Sequence, residues 1–354
     1  MIKLGAIGAG MIAGVNLEAI LNFDVEVVAI ANRTVSRAQR LADKLGIKGA
    51  SFYADYNDMI SGEDLDAVLI TLSHDLHLAS FTACANAGLH IIIEKPLAMT
   101  FKECEIIQQI AQENDIKACV CHTQRYNPSM ATARNLMDTM DFGKVRHIDD
   151  TMSIFYYHDE RADWMLSKEI SGNGPMINYG VHQFDRVYFL KGSLPEPKSL
   201  YAQLSYCIPE QECISAYTIS GSDIDGFTYN FSFSGYSGPV LGCTDVFCDN
   251  GVIRVMVGDA PKSGVFYSIG KEPFKEAPLL YNNSKMYYHQ FKEAVAYING
   301  EKSKAVDLNW SAQMVRMIDI TNESEAKDTV ITSGIFTEFT ARKDFRRAFK
   351  FQSH

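Results

Sequence analysis

Three residues of this chain have types that could move a proton and steady a charge. Lys95 follows the apolar run Ile91-Ile92-Ile93 and precedes Pro96. Such a run reads as a buried parallel strand, whose C-terminal residues reach the sheet edge where α/β folds bind ligands. Pro96 cannot continue a ladder, so the chain turns away there. Asn178 and His182 stand four residues apart, which on a helix puts them on one face. Oxidising a secondary alcohol needs a hydride acceptor at the carbinol carbon, a base for the hydroxyl proton and a positive donor for the developing alkoxide. His182 fits the base and Lys95 the donor, once a fold brings them to one cleft. Asn178 lacks the charge by which an Asp would raise the His182 pKa, so it would orient the ring or bind a substrate hydroxyl. Taken singly, a Lys at a strand end is usually a solvated charge and a helix-borne His usually structural. The flanking chain decides.

A hydride acceptor is indicated at the N-terminal end. Residues 2–7 read as a short buried strand, followed by Gly8-Ala9-Gly10-Met11-Ile12-Ala13, a G-x-G-x-x-A pattern opening a helix over 11–22. Gly8 permits the tight turn, Gly10 lets the backbone approach a pyrophosphate, and Ala13 lets helix and strand pack closely. The first amides of that helix, from Met11 and Ile12, point at the phosphates. The next strand, 26–31, ends at Asn32-Arg33-Thr34. At this place, about 20 residues beyond the glycines, an acid would hold the ribose of NAD. Here the acid is missing. Asn32 can bond a hydroxyl, while Arg33, with Thr34 and Arg37, can hold a 2′-phosphate through a guanidinium fork. NADP is therefore expected ahead of NAD, with NAD retained as the alternative. Arg33 and Arg37 could equally decorate an exposed helix start.

The elements that position these residues alternate at first. A helix over 35–45 closes at Gly46. A strand over 66–71 enters Leu72-Ser73-His74-Asp75-Leu76-His77, and a helix covers 76–87. The strand ending at Lys95, a helix over 101–113 and a strand over 117–122 complete a βαβ array. Beyond Gln124-Arg125-Tyr126-Asn127-Pro128 the pattern changes. A helix over 129–140 and a strand over 145–156 precede an irregular stretch holding Trp164, and a helix then carries Asn178, His182 and Asp185 toward Leu190. From 199 to 268 the chain alternates with period two, with Phe227, Tyr229, Phe231 and Phe233 on one face and Thr228, Asn230, Ser232 and Ser234 on the other. Helices over 284–299 and 308–327 follow, and the tail beyond 335 is a strand or an ordered arm. The expected fold is an α/β Rossmann dinucleotide-binding domain over 1–123. An α+β domain with a large, mostly antiparallel open sheet follows over 124–354.

Composition narrows the partners. The chain has 354 residues and a net charge of −10 with no Lys/Arg block, which argues against nucleic acid and anionic membranes. No apolar run is long enough to span a bilayer. The glycines at 5, 8, 10 and 14 make residues 1–15 a poor signal peptide. Eight cysteines include no Cys-x-x-Cys pair, so reduced thiols, a cytoplasmic setting and no metal site are expected. The aromatic face at 227–233 would be a costly exposed patch, so a homodimer or homotetramer through the C-terminal sheet is expected, unless the chain's own helices cover it. Tyr156, Trp164 and Lys168 precede the Asn178 helix and could line a polyol pocket; Trp164 could equally pack under its own loop.

In this order and spacing the motifs resemble those of the Gfo/Idh/MocA oxidoreductases, the family of glucose–fructose oxidoreductase and inositol dehydrogenase. The resemblance runs from Leu4 to about Lys327. It rests on Gly8–Ala13, Thr71 through His77, Glu94-Lys95-Pro96, Arg125-Tyr126-Asn127-Pro128 and Asn178–Asp185. It implies an NAD(P)-dependent dehydrogenase or reductase acting on a sugar, cyclitol or related polyol. Lys95 would be the active-site lysine, and Glu94 would help hold the cofactor. Thr71 would contact the cofactor, Ser73 and His77 would lie at its nicotinamide end, Arg125 at the interdomain cofactor edge, and His182 would be the acid/base. The family usually has Asp where this chain has Asn178, which alters the usual proton relay. Two other functions remain compatible with the sequence: a dinucleotide-binding regulator without turnover, and a redox-neutral glycosidase that keeps its cofactor.

Overall fold

A computed structural model of the chain describes residues 1–206, 212–236, 238–258, 263–282 and 285–332. Its first half carries β1 (Ile2–Ile7), α1 (Met11–Ile20), β2 (Val25–Ala31), α2 (Val35–Leu45), β3 (Ser51–Tyr53), α3 (Tyr56–Gly62) and β4 (Ala67–Ile70). Then come α4 (His77–Asn86), β5 (His90–Glu94), α5 (Phe101–Glu113) and β6 (Ala118–Cys121). The apolar runs at 67–70 and 91–93 are wholly buried, as strands covered by helices on both faces must be. Local signals set several ends. Thr100 and Glu103 form a reciprocal capping box at α5, and Gly46 closes α2 in the left-handed region. β3 and α3 lie where the sequence showed no element. Both are short, and all three β3 residues are half-buried at the sheet edge, so no apolar period marks them.

The second half carries α6 (Pro128–Thr139), β7 (Val145–Ser153), α7 (Lys168–Ser171), α8 (Val181–Lys191), β8 (Pro197–Ser205), β9 (Ala216–Asp223) and β10 (Thr228–Ser234). It continues with β11 (Leu241–Cys248), β12 (Gly251–Gly258), β13 (Gly264–Ile269), β14 (Lys275–Ala277), α9 (Met286–Ile298), β15 (Val306–Asp307), α10 (Leu308–Lys327) and β16 (Ile331–Thr332). The expected regular helix through Asn178 is instead a π-turn, Met176–Gly180, feeding α8. Cys207 and the tail beyond 335 lie outside the described residues.

Two sheets result. The first has the order β15-β6-β5-β4-β1-β2-β3 and is parallel except where β15 runs against β6. The second has nine strands, β14-β13-β12-β11-β7-β10-β9-β8-β16, antiparallel throughout except for β7 beside β10. This is the Rossmann sheet followed by a large, mostly antiparallel one. The C-terminal helices join the two. Phe291 and Val295 of α9 enter the core of the first sheet; α10 gives Ala312 and Val315 to that core and Met314, Met317 and Ile318 to the other. Gly180 makes the close approach to α10 possible, since an added Cβ would stand 3.0 Å from Ile318 Cδ1 and 2.5 Å from Met176 Cε.

The aromatic face at 227–233 corrects one expectation. Phe227, Tyr229, Phe231 and Phe233 are at most 3% exposed. α8 and the turn before it cover them: Phe184 meets Tyr229 and Phe231 edge-on, Tyr188 meets Phe227 and Tyr229, and Tyr179 stacks on Phe233. Being covered within the chain, this face cannot be the apolar patch that joins subunits. The opposite, polar face of β10 is the one that reaches solvent.

Candidate functional site

In the first sheet the strand order reverses direction at β1, between β2 and β4, and such a switch point opens a crevice at the strand ends. Gly8 turns there with φ +105°, and an added Cβ would lie 2.6 Å from the Thr71 carbonyl oxygen and hydroxyl. Thr71 fixes that approach by donating its hydroxyl to the Ile7 carbonyl at 3.1 Å. Asn32 braces the same turn. Its Oδ1 accepts from the Ala9 amide (3.1 Å), and its Nδ2 donates to the Thr34 carbonyl (2.9 Å). Much of the Asn32 amide is thus committed to the loop rather than free for a ribose. Gly10 differs from Gly8: no atom lies within 4 Å of an added Cβ. α1 starts at Gly10 without a side-chain cap, leaving its first amides for another acceptor. A diphosphate fits this uncapped, open cradle. Met11 is 88% exposed at its lip, and Ile12 is half-buried beside it. Arg33, Thr34 and Arg37 are exposed, and neither arginine is paired with a described carboxylate.

At the end of β5, Glu94 is buried. Its Oε1 accepts from Asn16 Nδ2 (2.8 Å) and its Oε2 from the Lys95 amide (3.2 Å). Burial pushes its carboxyl up, with Lys95 and Asn16 pulling the other way. The Lys95–Pro96 bond is cis. Lys95 sends Nζ across to the π-turn, where it donates to Asn178 Oδ1 (2.5 Å) and to the Asn178 carbonyl (3.2 Å). Burial brings the Lys95 ammonium down to about 8, with Glu94 opposing and Arg161 adding to the fall. Asn178 is therefore the lysine's partner rather than an orienter of His182. His182 is 7% exposed, and its Nδ1 has no hydrogen-bond partner. Burial first, then Lys95, His122 and Arg186, hold its pKa well below the usual value, so the ring is neutral.

Several expected site residues do structural work. His77 is fully buried and lines no open surface; its Nδ1 bonds the Pro96 carbonyl (2.7 Å), and its Nε2 faces that of Leu72 (3.2 Å). It ties the β4 and β5 loops together. Ser73 is half-buried just before His74, which bonds the Ser171 carbonyl at 2.8 Å and meets the Trp164 ring edge-on at 4.9 Å. Trp164 thus packs on the first domain's loop. Arg125 forks onto Asp185 (2.6 and 2.9 Å) and lies 4.3 Å over the Trp310 ring, which leaves it little freedom to meet a ligand. Tyr156 is buried, with its hydroxyl donated to the Met165 carbonyl (3.2 Å), and Lys168 extends over the Tyr206 ring (5.9 Å).

Sequence reasoning missed Asn16, Arg161 and Tyr179. Asn16 left one signal, a polar residue on the buried side of α1. Arg161 sits in the irregular stretch after β7, where no period exists to read. A groove of about 830 Å³ lies elsewhere, lined by Met140, Cys248 and Gly270, and it holds none of these groups.

Comparison with known proteins adds to this geometry. A family model described as "Oxidoreductase family, NAD-binding Rossmann fold" matches residues 2–122, and one described as "GFO/IDH/MocA C-terminal domain" matches residues 130–254. Inositol 2-dehydrogenase of Salmonella paratyphi B is 33% identical over 146 residues, 40% of this chain and 43% of that protein. Levoglucosan dehydrogenase of Pseudarthrobacter phenanthrenivorans is 29% identical over 192 residues, 52% of this chain and 46% of that protein. The chain thus matches less than half the length of either relative. A solved levoglucosan dehydrogenase, in complex with NADH and L-sorbose, shares the fold with a TM-score of 0.83, covering 95% of this chain and 100% of that one at 19% identity.

Proposed function

Since the chain belongs to the GFO/IDH/MocA oxidoreductase family, we propose that it transfers a hydride between NAD(P) and a secondary alcohol or ketone of a sugar, cyclitol or related polyol. The observation that carries this is the meeting of Lys95 with Asn178, four residues before the neutral His182, beside an open glycine cradle. In this reading residues 1–123 bind the dinucleotide and the rest supplies the substrate wall. A bound nicotinamide supplies the hydride acceptor. The amides of α1 hold the pyrophosphate, and Glu94, fixed by Asn16, borders the cofactor. His182 takes the hydroxyl proton during oxidation, since a neutral imidazole is ready to accept one. The Lys95 ammonium, steered by Asn178, faces the oxygen on which negative charge develops. Arg33 and Arg37, exposed and without a carboxylate partner among the described residues, give a 2′-phosphate a seat, so NADP is preferred over NAD.

The test is a thermal-shift titration with NAD and NADP, followed by sugars and inositols monitored at the reduced-nicotinamide absorbance. Turnover of a polyol separates an enzyme from a dinucleotide-binding regulator. Nicotinamide retained through purification, with no net absorbance change during turnover, marks a redox-neutral enzyme instead. Arg33→Ala should weaken NADP far more than NAD; equal losses would remove the NADP preference.

A further inference from the structure

Arg161 is half-buried between β7 and α7, and its surroundings lead back to the reactive groups. Its Nε donates to the Tyr156 carbonyl at 2.9 Å, one Nη approaches Met165 Sδ at 3.7 Å, and the guanidinium lies 4.3 Å over the Tyr156 ring. That ring stands edge-on to Tyr179 (5.8 Å), and Tyr179 stands edge-on to His182 (6.4 Å). The Tyr156 hydroxyl is within reach of the Asn178 side chain, the group that holds Lys95 Nζ. Arg161 is therefore part of one continuous wall with Lys95, Asn178 and His182.

No described carboxylate answers this arginine. Its sequence neighbours Asp159, Glu160 and Asp163 are exposed and form no ion pair with it. The buried acids near the cleft are engaged elsewhere, Glu94 by Asn16 and Asp185 by Arg125. Arg125, Arg134 and Arg186, by contrast, each meet a carboxylate of the chain. A guanidinium partly withdrawn from water keeps much of its desolvation cost until an anion meets it. Asn178, in the position beside Lys95, adds no negative charge of its own. The cleft thus gathers two cations, a neutral imidazole and a neutral amide, with the buried Glu94 behind Lys95 held by Asn16, in a chain whose net charge is −10.

We propose that the substrate is an anionic polyol, a sugar or cyclitol acid whose carboxylate is received by the Arg161 fork while its carbinol meets Lys95 and His182. This rests on the dehydrogenase reading above. A carboxylate suits the site better than a phosphate. One planar fork matches its two oxygens, whereas a dianion calls for a second fixed cation and Lys95 is already turned to Asn178. Arg161 then sets which acid is oxidised, and the chemistry stays with Lys95 and His182.

The experiment pairs D-glucuronate, D-galacturonate and D-gluconate with D-glucose, D-galactose and D-sorbitol. Turnover is followed with NAD and with NADP, and binding to the protein saturated with reduced nicotinamide is followed by thermal shift. At least one acid should be favoured over its neutral partner by tenfold or more in kcat/KM or in affinity. Arg161→Gln should remove that preference, mostly through KM, and Arg161→Lys should recover part of it; Tm measurements confirm that both variants are folded. Turnover with no preference for the acids, or equal losses for acid and neutral partners in Arg161→Gln, would overturn the inference and leave the dehydrogenase reading standing. Acid binding that needs Arg161 but comes without turnover would uphold the carboxylate seat at Arg161 and overturn the dehydrogenase reading together with the acid's role as substrate. Binding of none of the acids would overturn the inference.

Discussion

α8 and the turn before it carry two polar clusters of similar composition, built on opposite rules. At Asp185 both carboxylate oxygens are answered. They accept from Arg125 and from Trp310 Nε1 (2.9 Å), and His122 Nδ1, itself without a hydrogen bond, stands 3.5 Å away. Burial alone would raise its carboxyl, but Arg125 and His122 outweigh burial and hold it far below the carboxylate range. One residue on, Arg186 forks onto the buried Asp150, which also accepts from Gln183 (2.6 Å) and Thr244 (2.6 Å). At the other end, burial has brought Lys95 down to about 8 beside Asn178, His182 has an unanswered Nδ1, and Arg161 meets no described carboxylate. Satisfied networks rigidify a fold, whereas unsatisfied groups hold interaction free energy in reserve for a ligand. The difference separates them as residue type alone does not: an Arg and an Asp at one end are held within the fold, while a Lys, an Asn and a His at the other are the proposed reactive groups.

The largest expected effect breaks the open cluster. Lys95→Ala should lower kcat by roughly 10³-fold, about 4 kcal/mol, because it removes a donor acting mainly on charge developed in the transition state. Dinucleotide affinity should hold within a few-fold. His182→Ala should cut kcat as well, and the double variant should be little worse than either single one, since groups acting as a unit are not additive. A full multiplicative loss in steady-state kinetics would show that the two act independently. His182→Ala should leave Tm unchanged or raised, because it deletes a buried polar ring with an unpartnered nitrogen.

The closed cluster should respond the other way. Asp185→Asn leaves Arg125, with its side chain only 12% exposed, without its counter-charge. Unfolding by denaturant should show a loss of about 3 kcal/mol, the usual cost of orphaning one partner of a buried pair. Activity per folded molecule should change far less than in Lys95→Ala. A stable but inactive Asp185→Asn would put Arg125 back at the cofactor and undo the contrast.

Much of this was legible in the chain. α5 and α10 have the ends the sequence gives them because side-chain caps write those ends locally: Thr100 with Glu103, and Asp307 accepting from the Trp310 amide. The glycine turn was legible because its chemistry sits in six consecutive residues. The Lys95–Asn178 contact was not, since 83 residues separate the partners and only the packing of two sheets brings them together. The aromatic stripe at 227–233 was seen, but period two shows that a face is apolar and says nothing of what covers it. The π-turn at 176–180 escaped because one inserted residue leaves the apolar pattern nearly intact.

The Lys95–Asn178 contact supplies the finest probe of the comparison. Asn178→Asp places a carboxylate where Oδ1 now accepts from Lys95 Nζ at 2.5 Å. An adjacent negative charge favours the ammonium, so the Lys95 pKa should rise from about 8. In the wild type the charged Lys95 and neutral His182 coexist between the low pKa of the imidazole and that of the ammonium. The kcat/KM profile for oxidation should therefore be flat near neutrality and fall above about pH 8 as the ammonium is lost. In Asn178→Asp this alkaline fall should move up by about one pH unit, worth about 1.4 kcal/mol of added preference for the charged form. A new charge acting on His182 would instead move the acidic limb upward. Movement of the acidic limb with a stationary alkaline one would mean that Asn178 acts on the imidazole in the working enzyme. Movement of the alkaline limb alone would mark Asn178 as the lysine's partner and leave His182 neutral through burial and its cationic neighbours.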